Sequence, residues 1–345
     1  MEKPRKWRYG VNRWFILLFA ILGFIAAGIY PPILPHIQLP AERISETPLF
    51  GNFYLTNTIV ATLIADVILI LLALGVRRAV RSGQLIPKGM AGAIEALLEV
   101  IHNLTESTAG RWTRTIFPFF ATITMLVLIV NWMELIPGVD SIGRLHEDSH
   151  GYPVKEVLPG VYTIVKPAAG AEGEAHEGGY LLVPYVRVAS TDLNFTVALA
   201  LISVVMTHVI GARALGATYF TKFINVGGIF KRPIFGIIDF GVGLLELISE
   251  FSKILSFSFR LFGNIFAGTV LLFVIGTLVP VFAQSIFLML EFFVGLIQAV
   301  VFGMLTMVFM SQATQGHGGH EEGHAEHAAP ETAVETTGAE AAAGD

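Results

Sequence analysis

Apolar residues arrive along this chain in long blocks, each closed by a short charged or proline-bearing segment. The first block, about Trp14 to Leu34, follows the basic run Lys3-Pro-Arg-Lys-Trp-Arg8 and ends around Pro31-Pro32. It is longer than the core of a signal peptide and no small-x-small cleavage pattern follows it, so it reads as a retained helix. A second block, about Leu55 to Val76, stops at Arg77-Arg78. After it, Ile94, Leu97, Leu98, Ile101 and Leu104 recur at helical spacing, with Glu95, Glu99 and His102 between them. That pattern predicts an amphipathic helix lying on the membrane surface or against a partner.

A third span is predicted from about Ile116 to Ile136, carrying Asn131 and Glu134 near its end. Residues 137–191 form a large extramembrane loop with strand-like runs at 160–165 and 180–186. Asp192 is placed to cap the fourth span, about Asp192 to Leu215, by accepting backbone N–H bonds. From Pro233 to about Val281 the chain stays apolar for nearly fifty residues, twice what an upright helix needs at 1.5 Å per residue. That segment is either two helices or one steeply tilted helix. A last span, about Ser285 to Met310, leads into a glycine-, histidine- and acid-rich tail that reads as solvated low-complexity chain. The fold class is therefore an all-α polytopic membrane protein with about six membrane-embedded helices, a long tilted pair among them, plus one amphipathic surface helix. The chain divides into an extra N-terminal helix and outer segment (1–51), a membrane domain (52–312) and the tail (313–345).

Composition agrees: of 345 residues, 54% are hydrophobic and 14% charged, and mean hydropathy is +0.67. A soluble multidomain enzyme is excluded, and nothing points to nucleic acid. With no cysteine, disulfides are excluded too. If the N-terminus is cytoplasmic, 15 of the 22 Lys and Arg residues lie on that side and five on the other, which fits the positive-inside rule. Six spans then bring the C-terminus to the cytoplasmic side as well.

Candidate chemistry sits in the fifty-residue block. "SFRLFGNIFAG", Ser258 to Gly268, puts Arg260 inside an apolar run. Arginine does not shed its proton, and at the centre of a spanning helix it costs about 2.5 to 3.5 kcal/mol on insertion scales. At 100° per residue, Asn264, Ser256, Lys253, Ser249 and Glu246 fall within about 40° of Arg260, and Glu250 strays to roughly 80°. Such a stripe must face water or protein rather than lipid. Helix-packing glue also accounts for its serines and glycines, with Glu250 and Lys253 paired at i, i+3. Arg260 has no acid within one turn. Glu291 on the last helix, followed seven residues later by Gln298 on the same face, reads as a hydrated path as readily as an ion pair. His208 is either a channel-lining or a packed polar group. Tail residues His317, His320, His324 and His327 have metal-compatible spacing, but glycine and acid around them favour disorder, so no metal site and no cofactor is expected.

These residues resemble a known family. "RLFGNIFAG" with "LIQAVVFGMLTMVF" about thirty residues on, "NWMELIPG", "STDLNFTVALAL" and "ISEFSKILSFSFRLFGN" are similar to subunit a of F-type ATP synthases, over about Asn52 to Gln312. The resemblance implies a non-catalytic, ion-translocating stator subunit with two aqueous half-channels beside a ring of c subunits. Arg260 would face the ring carboxylates, with Asn264 on its face and Gln298 opposite. Glu291 would be the relay of the outer half-channel, with Asn131 and Glu134 nearer its mouth. Glu246 would serve the inner half-channel, with Ser249, Ser256 and Glu250 as companions. Implied partners are the c-ring, the subunit b stalk, the other F1Fo subunits and lipid, in a bacterial plasma (inner) membrane. One departure is Thr269, where the family commonly has an acid or histidine paired with the group at 291. Proton translocation is the expected activity. The alternatives are a Na⁺-translocating version or a stand-alone secondary transporter, although no internal repeat supports the latter. A membrane enzyme would need a nucleophile, metal cluster or phosphate loop, and the sequence shows none.

Overall fold

The computed structural model describes residues 9–29, 40–45, 47–48, 51–81, 89–136, 138–165, 179–223, 233–279 and 281–315. Seven α-helices occur among them: α1 (Tyr9–Ile29), α2 (Asn57–Arg81), α3 (Met90–Ala109), α4 (Thr113–Met133), α5 (Leu193–Leu215), α6 (Pro233–Leu278) and α7 (Phe282–Ala313). Five stretches are long and apolar enough to cross a membrane: Asn57–Arg78, Ala91–Met133, Leu193–Thr221, Phe240–Leu278 and Ala283–Ala313; α1 contributes a shorter apolar run, Trp14–Ile25. The chain is a multi-pass helical membrane protein. The open choice over the fifty-residue block resolves to one helix, since α6 is continuous for 46 residues. The histidine-rich tail and its metal-spaced positions lie outside the described residues.

Helix α3 keeps its amphipathic character but docks on the bundle. Ile101, Thr105 and Ala109 are buried while Glu95, Glu99 and His102 stay exposed. A 3-10 turn at Gly110–Trp112 links it to α4. Helices α4 and α7 form the tightest pair, and the cause is local. A Cβ on Gly303 would collide with Thr124 and with the Phe120 ring at 2.7 Å, and one on Gly295 would come 3.2 Å from the Asn131 side chain. Small residues let the backbones approach where no water gap drives burial, so dispersion and hydrogen bonds supply the attraction. Trp132 Nε1 donates to the Phe292 carbonyl at 3.1 Å, and the two rings stack 4.6 Å apart. The core spreads from this seam through Val127, Val130, Phe257, Leu261, Ile265, Ala299 and Phe302.

Five buried hydroxyls are satisfied within their own helices: Thr105, Ser203, Thr207, Ser258 and Thr306 each donate to the carbonyl four residues back. This removes unpaired polar groups from an apolar interior. By contrast, Leu63, Val67, Ile70 and Leu71 on α2 and Trp14, Ile16 and Phe19 on α1 are exposed, as lipid-facing residues are.

Between α4 and α5 lie two small antiparallel sheets: β1 (Gly143–Tyr152) with β4 (Tyr180–Pro184), and β2 (Val154–Leu158) with β3 (Val161–Ile164). The strand-like runs at 160–165 and 180–186 thus contain β3 and β4. A 3-10 turn at Ala189–Thr191 follows, and Asp192 then caps α5 as expected, its Oδ1 accepting from Asn194 N at 2.9 Å while Oδ2 accepts from Thr58 at 3.0 Å.

Candidate functional site

Helix α6 presents its polar stripe on the outside of the bundle. Arg260, Ser256 and Asn264 are exposed, as is Ser249, and Arg260 makes no ion pair or hydrogen bond among the described residues. Its neighbours Phe259 and Phe251 are likewise exposed. Behind the stripe, Asn264 Nδ2 donates to Gln298 Oε1 at 3.2 Å, which ties α6 to α7 one turn beyond the arginine. Gln298 is itself 4% exposed.

Two polar clusters flank Arg260 along the helix. The first lies towards the N-terminal end of α6. Glu250 accepts from Lys253 Nζ at 2.9 Å and lies 3.8 Å from His208 Nε2 on α5. His208 Nδ1 shares a 2.8 Å hydrogen bond with the Tyr219 hydroxyl, and Glu246 lies within electrostatic reach of that tyrosine. The 80° offset of Glu250 now has a cause: it turns away from the stripe to meet α5, and it is 6% exposed. Tyr219 reaches His208 because the 3-10 turn Gly216–Lys222 folds back over α5, where Gly211 leaves space that any side chain would deny to the ring. His208 and Tyr219 join this cluster although the stripe on α6 alone did not include them.

The second cluster lies towards the C-terminal end. Glu291 on α7 is 6% exposed, and its carboxylate stands against Gly268, in the space a Cβ there would take. Glu134, the C-cap residue just after α4, lies within electrostatic range of both Glu291 and Asp140, and beside Thr269. Thr269 spends its proton on the Ile265 carbonyl at 3.0 Å, and its approach to Glu134 falls short of a full hydrogen bond. Both Glu134 oxygens and Glu291 Oε1 are enclosed without a hydrogen-bond partner among the described residues. Asp140 sits next in line; burial lifts its carboxyl to about 6, against the pull of Arg187.

Asn131 has a different situation. Its Oδ1 accepts from Ser190 at 2.7 Å and its Nδ2 donates to the Gly295 carbonyl at 3.2 Å, so it clamps α4 to α7 and to the turn before α5. No group of three or more metal-ligating side chains occurs among the described residues.

A helical bundle with a fixed cation on its outer face and buried carboxylates on either side of it is the arrangement of an ion-handling membrane protein. The family described as ATP synthase A chain matches residues 58–311, and the chain belongs to that family. It is similar to the ATP synthase subunit a of Syntrophobacter fumaroxidans, 28% identical over 245 residues that cover 71% of this chain and 74% of the relative. The subunit a of Trichlorobacter lovleyi is 34% identical over 82 residues, 24% of this chain and 34% of that one, and that of Campylobacter jejuni 29% identical over 186 residues, 53% and 58%. The chain is thus a non-catalytic, ion-translocating subunit of the membrane sector, working within the F1Fo complex.

Proposed function

We propose that this chain is the proton-conducting stator of its complex, carrying two aqueous half-channels that load and unload the carboxylates of a c-ring as they pass Arg260. One observation supports this most: Arg260 stands exposed between two separate polar clusters. Along α6 the cluster at Glu250 lies about 15 Å to one side and Gly268, where Glu291 sits, about 12 Å to the other, at 1.5 Å per residue.

The physics of each part follows from its residues. A guanidinium keeps its charge, so an approaching carboxylate is stabilised in its ionised form. At 4 Å and an effective dielectric near 20 the attraction is about 4 kcal/mol, comparable with the insertion cost of the arginine itself. A carboxylate moving away from Arg260 into lipid is stable only when protonated. Arg260 cannot pass a proton on, so it separates the half-channels. Transfer across the membrane then requires rotation.

In the outer half-channel Glu134 and Glu291 hand protons inward, with Thr269 and water between them in the place of a second titrating group on α6. Asn131 holds the wall. In the inner half-channel Glu246, Tyr219, His208 and Glu250 form the route, with Ser249 and Ser256 as water-binding companions. Asn264 and Gln298 fix the spacing of α6 and α7 next to the arginine. The remaining partner is the subunit b stalk, the membrane is the bacterial inner membrane, and both termini are cytoplasmic.

The test is Arg260→Ala in the assembled complex. ATP-driven proton pumping into inverted vesicles and ATP synthesis are expected to vanish while the detached head still hydrolyses ATP. Normal coupled pumping by this variant rules the reading out. A stimulation of hydrolysis by Na⁺ would replace the proton by sodium and leave the architecture standing.

A further inference from the structure

Polar residues on α7 are few and regularly placed. Between Phe282 and Leu305 they are Gln284, Ser285, Glu291 and Gln298. Ser285 turns its hydroxyl to the Val281 carbonyl. The other three stand seven residues apart, so they drift by only about 20° per step and share one face of the helix. Each of them meets α6: Gln298 bonds Asn264, Glu291 stands against Gly268, and the Gln284 amide nitrogen comes 3.2 Å from where a Cβ on Gly276 would sit. Gln298 and Glu291 already have roles beside the arginine and in the outer half-channel, whereas Gln284 has none.

The contact at Gln284 repeats the one at Glu291. On α6, Gly268 is followed by Thr269 and, eight residues on, Gly276 is followed by Thr277. In each case the glycine makes room for a polar side chain from α7. In each case the threonine is half-buried and donates to a carbonyl of its own helix, Thr269 to Ile265 and Thr277 to Val274 at 2.8 Å, which leaves its lone pairs to accept from water. Gly276 lies about 12 Å beyond Gly268 along α6, towards the turn into α7. Gln284 is half-buried and makes no hydrogen bond among the described residues. An amide in an apolar seam needs partners for its donors and acceptor, and water on its way to Glu291 supplies them. Glu291 Oε1, enclosed without a hydrogen-bond partner on a residue only 6% exposed, is an independent sign that the seam admits a bound molecule. Glu134, beside Thr269, borders the same seam from α4.

We propose that Gln284 is a positioning residue of the outer half-channel: with Thr277 it holds water in the α6–α7 seam, one station outward of Glu291, and that water carries protons between the outer surface and the Glu291 carboxylate. The proposal rests on the relay role given to Glu291 above. An amide does not titrate, so Gln284 orders the water and takes no proton itself; each water accepts one proton and passes on another. The two stations are about 10 Å apart along α7, a gap that about three hydrogen-bonded waters span.

The test reads passive proton flow in vesicles that carry the assembled membrane sector with its outer face toward the medium. Gln284→Leu nearly keeps the volume and removes the polar atoms; flow is expected to fall about fivefold or more with the complex intact. Gln284→Glu restores hydrogen bonding in the same shape and is expected to return flow to within about twofold of wild type, a rescue that a packing role would not produce. Because the chain has no cysteine, the thiol of Gln284→Cys is unique in it. A membrane-impermeant methanethiosulfonate added to the medium is expected to react with that thiol and block flow. The thiol of Met289→Cys, about 140° round α7 at a position 61% exposed on the apolar surface, is expected to stay unreactive. Unchanged flow in Gln284→Leu, equal losses in Gln284→Leu and Gln284→Glu, or an unreactive thiol in Gln284→Cys overturns the proposal. If Glu291→Gln still slows flow in that event, the relay at Glu291 stands and only its outward station falls; unchanged flow in Glu291→Gln removes both.

Discussion

The carboxylate of Glu291 occupies the space in which a side chain at Gly268 would stand. Two residues 23 positions apart on neighbouring helices therefore share one volume. The absence of a Cβ on α6 is what allows an acid on α7 to be buried at 6% exposure within reach of Glu134.

Gly268→Ala is expected to push the Glu291 carboxylate aside and slow passive proton flow through the membrane sector by about tenfold or more, since small misplacements of a transfer group are costly. Assembly should survive, because the displaced atoms are the far end of a flexible side chain. Measured proton flow in head-stripped vesicles equal to wild type would show that Glu291 has no relay role at that position.

Glu134→Gln and Glu291→Gln are each expected to slow proton flow with the complex intact. If the two acids work in series on one path, the double variant will lose less than the product of the two single losses. Fully multiplicative losses would place them on separate tasks.

Asp140 gives a pH dependence with a definite sign. Burial lifts its carboxyl from the ordinary 3.8 to about 6, so the folded state holds the proton more tightly than the unfolded chain. Its contribution is fully present below about pH 3.8 and is lost as pH rises through 6. Asp140→Asn should leave thermal stability nearly unchanged at pH 4 and raise it at pH 8, by on the order of 2 kcal/mol. Tryptophan fluorescence melts in detergent at the two pH values will read this; a destabilisation at pH 8 contradicts it.

Gly303→Val is expected to separate α4 from α7, because even the first added carbon meets Thr124 and the Phe120 ring. Overpacking of this kind costs about 1 to 3 kcal/mol. A lowered melting temperature together with loss of assembled complex is the expected outcome. The matching change on the exposed face of α6, Gly263→Ala, meets nothing within 4 Å and should leave stability unaffected in the isolated chain.

Much of this was legible in the residues, for physical reasons that also mark where reading stopped. Apolar block length gave the spans, and the 3.6-residue period gave the face of α3, because both reflect one helix at a time. The stripe on α6 was readable for the same reason, but not that Glu250 leaves it for α5. That depends on His208 and on a tyrosine eleven residues further along, brought back by a 3-10 turn. Strand β1, with its run of charged and histidine residues, has no alternation to betray it and is held by pairing with β4. Asn131 looked like a polar group available to a channel. Its two hydrogen bonds to residues 59 and 164 positions away could not be read from its own segment.

The length of α6 has a geometric consequence. Its apolar part, Phe240–Leu278, is 39 residues, about 58 Å of helix against a hydrocarbon layer about 30 Å thick. To keep that stretch out of water the helix must lean away from the membrane normal. Glu250 and Gly268, about 27 Å apart along the helix at 1.5 Å per residue, are then offset sideways and not only in depth. The two polar clusters therefore lie at different bearings around any cylinder laid against α6.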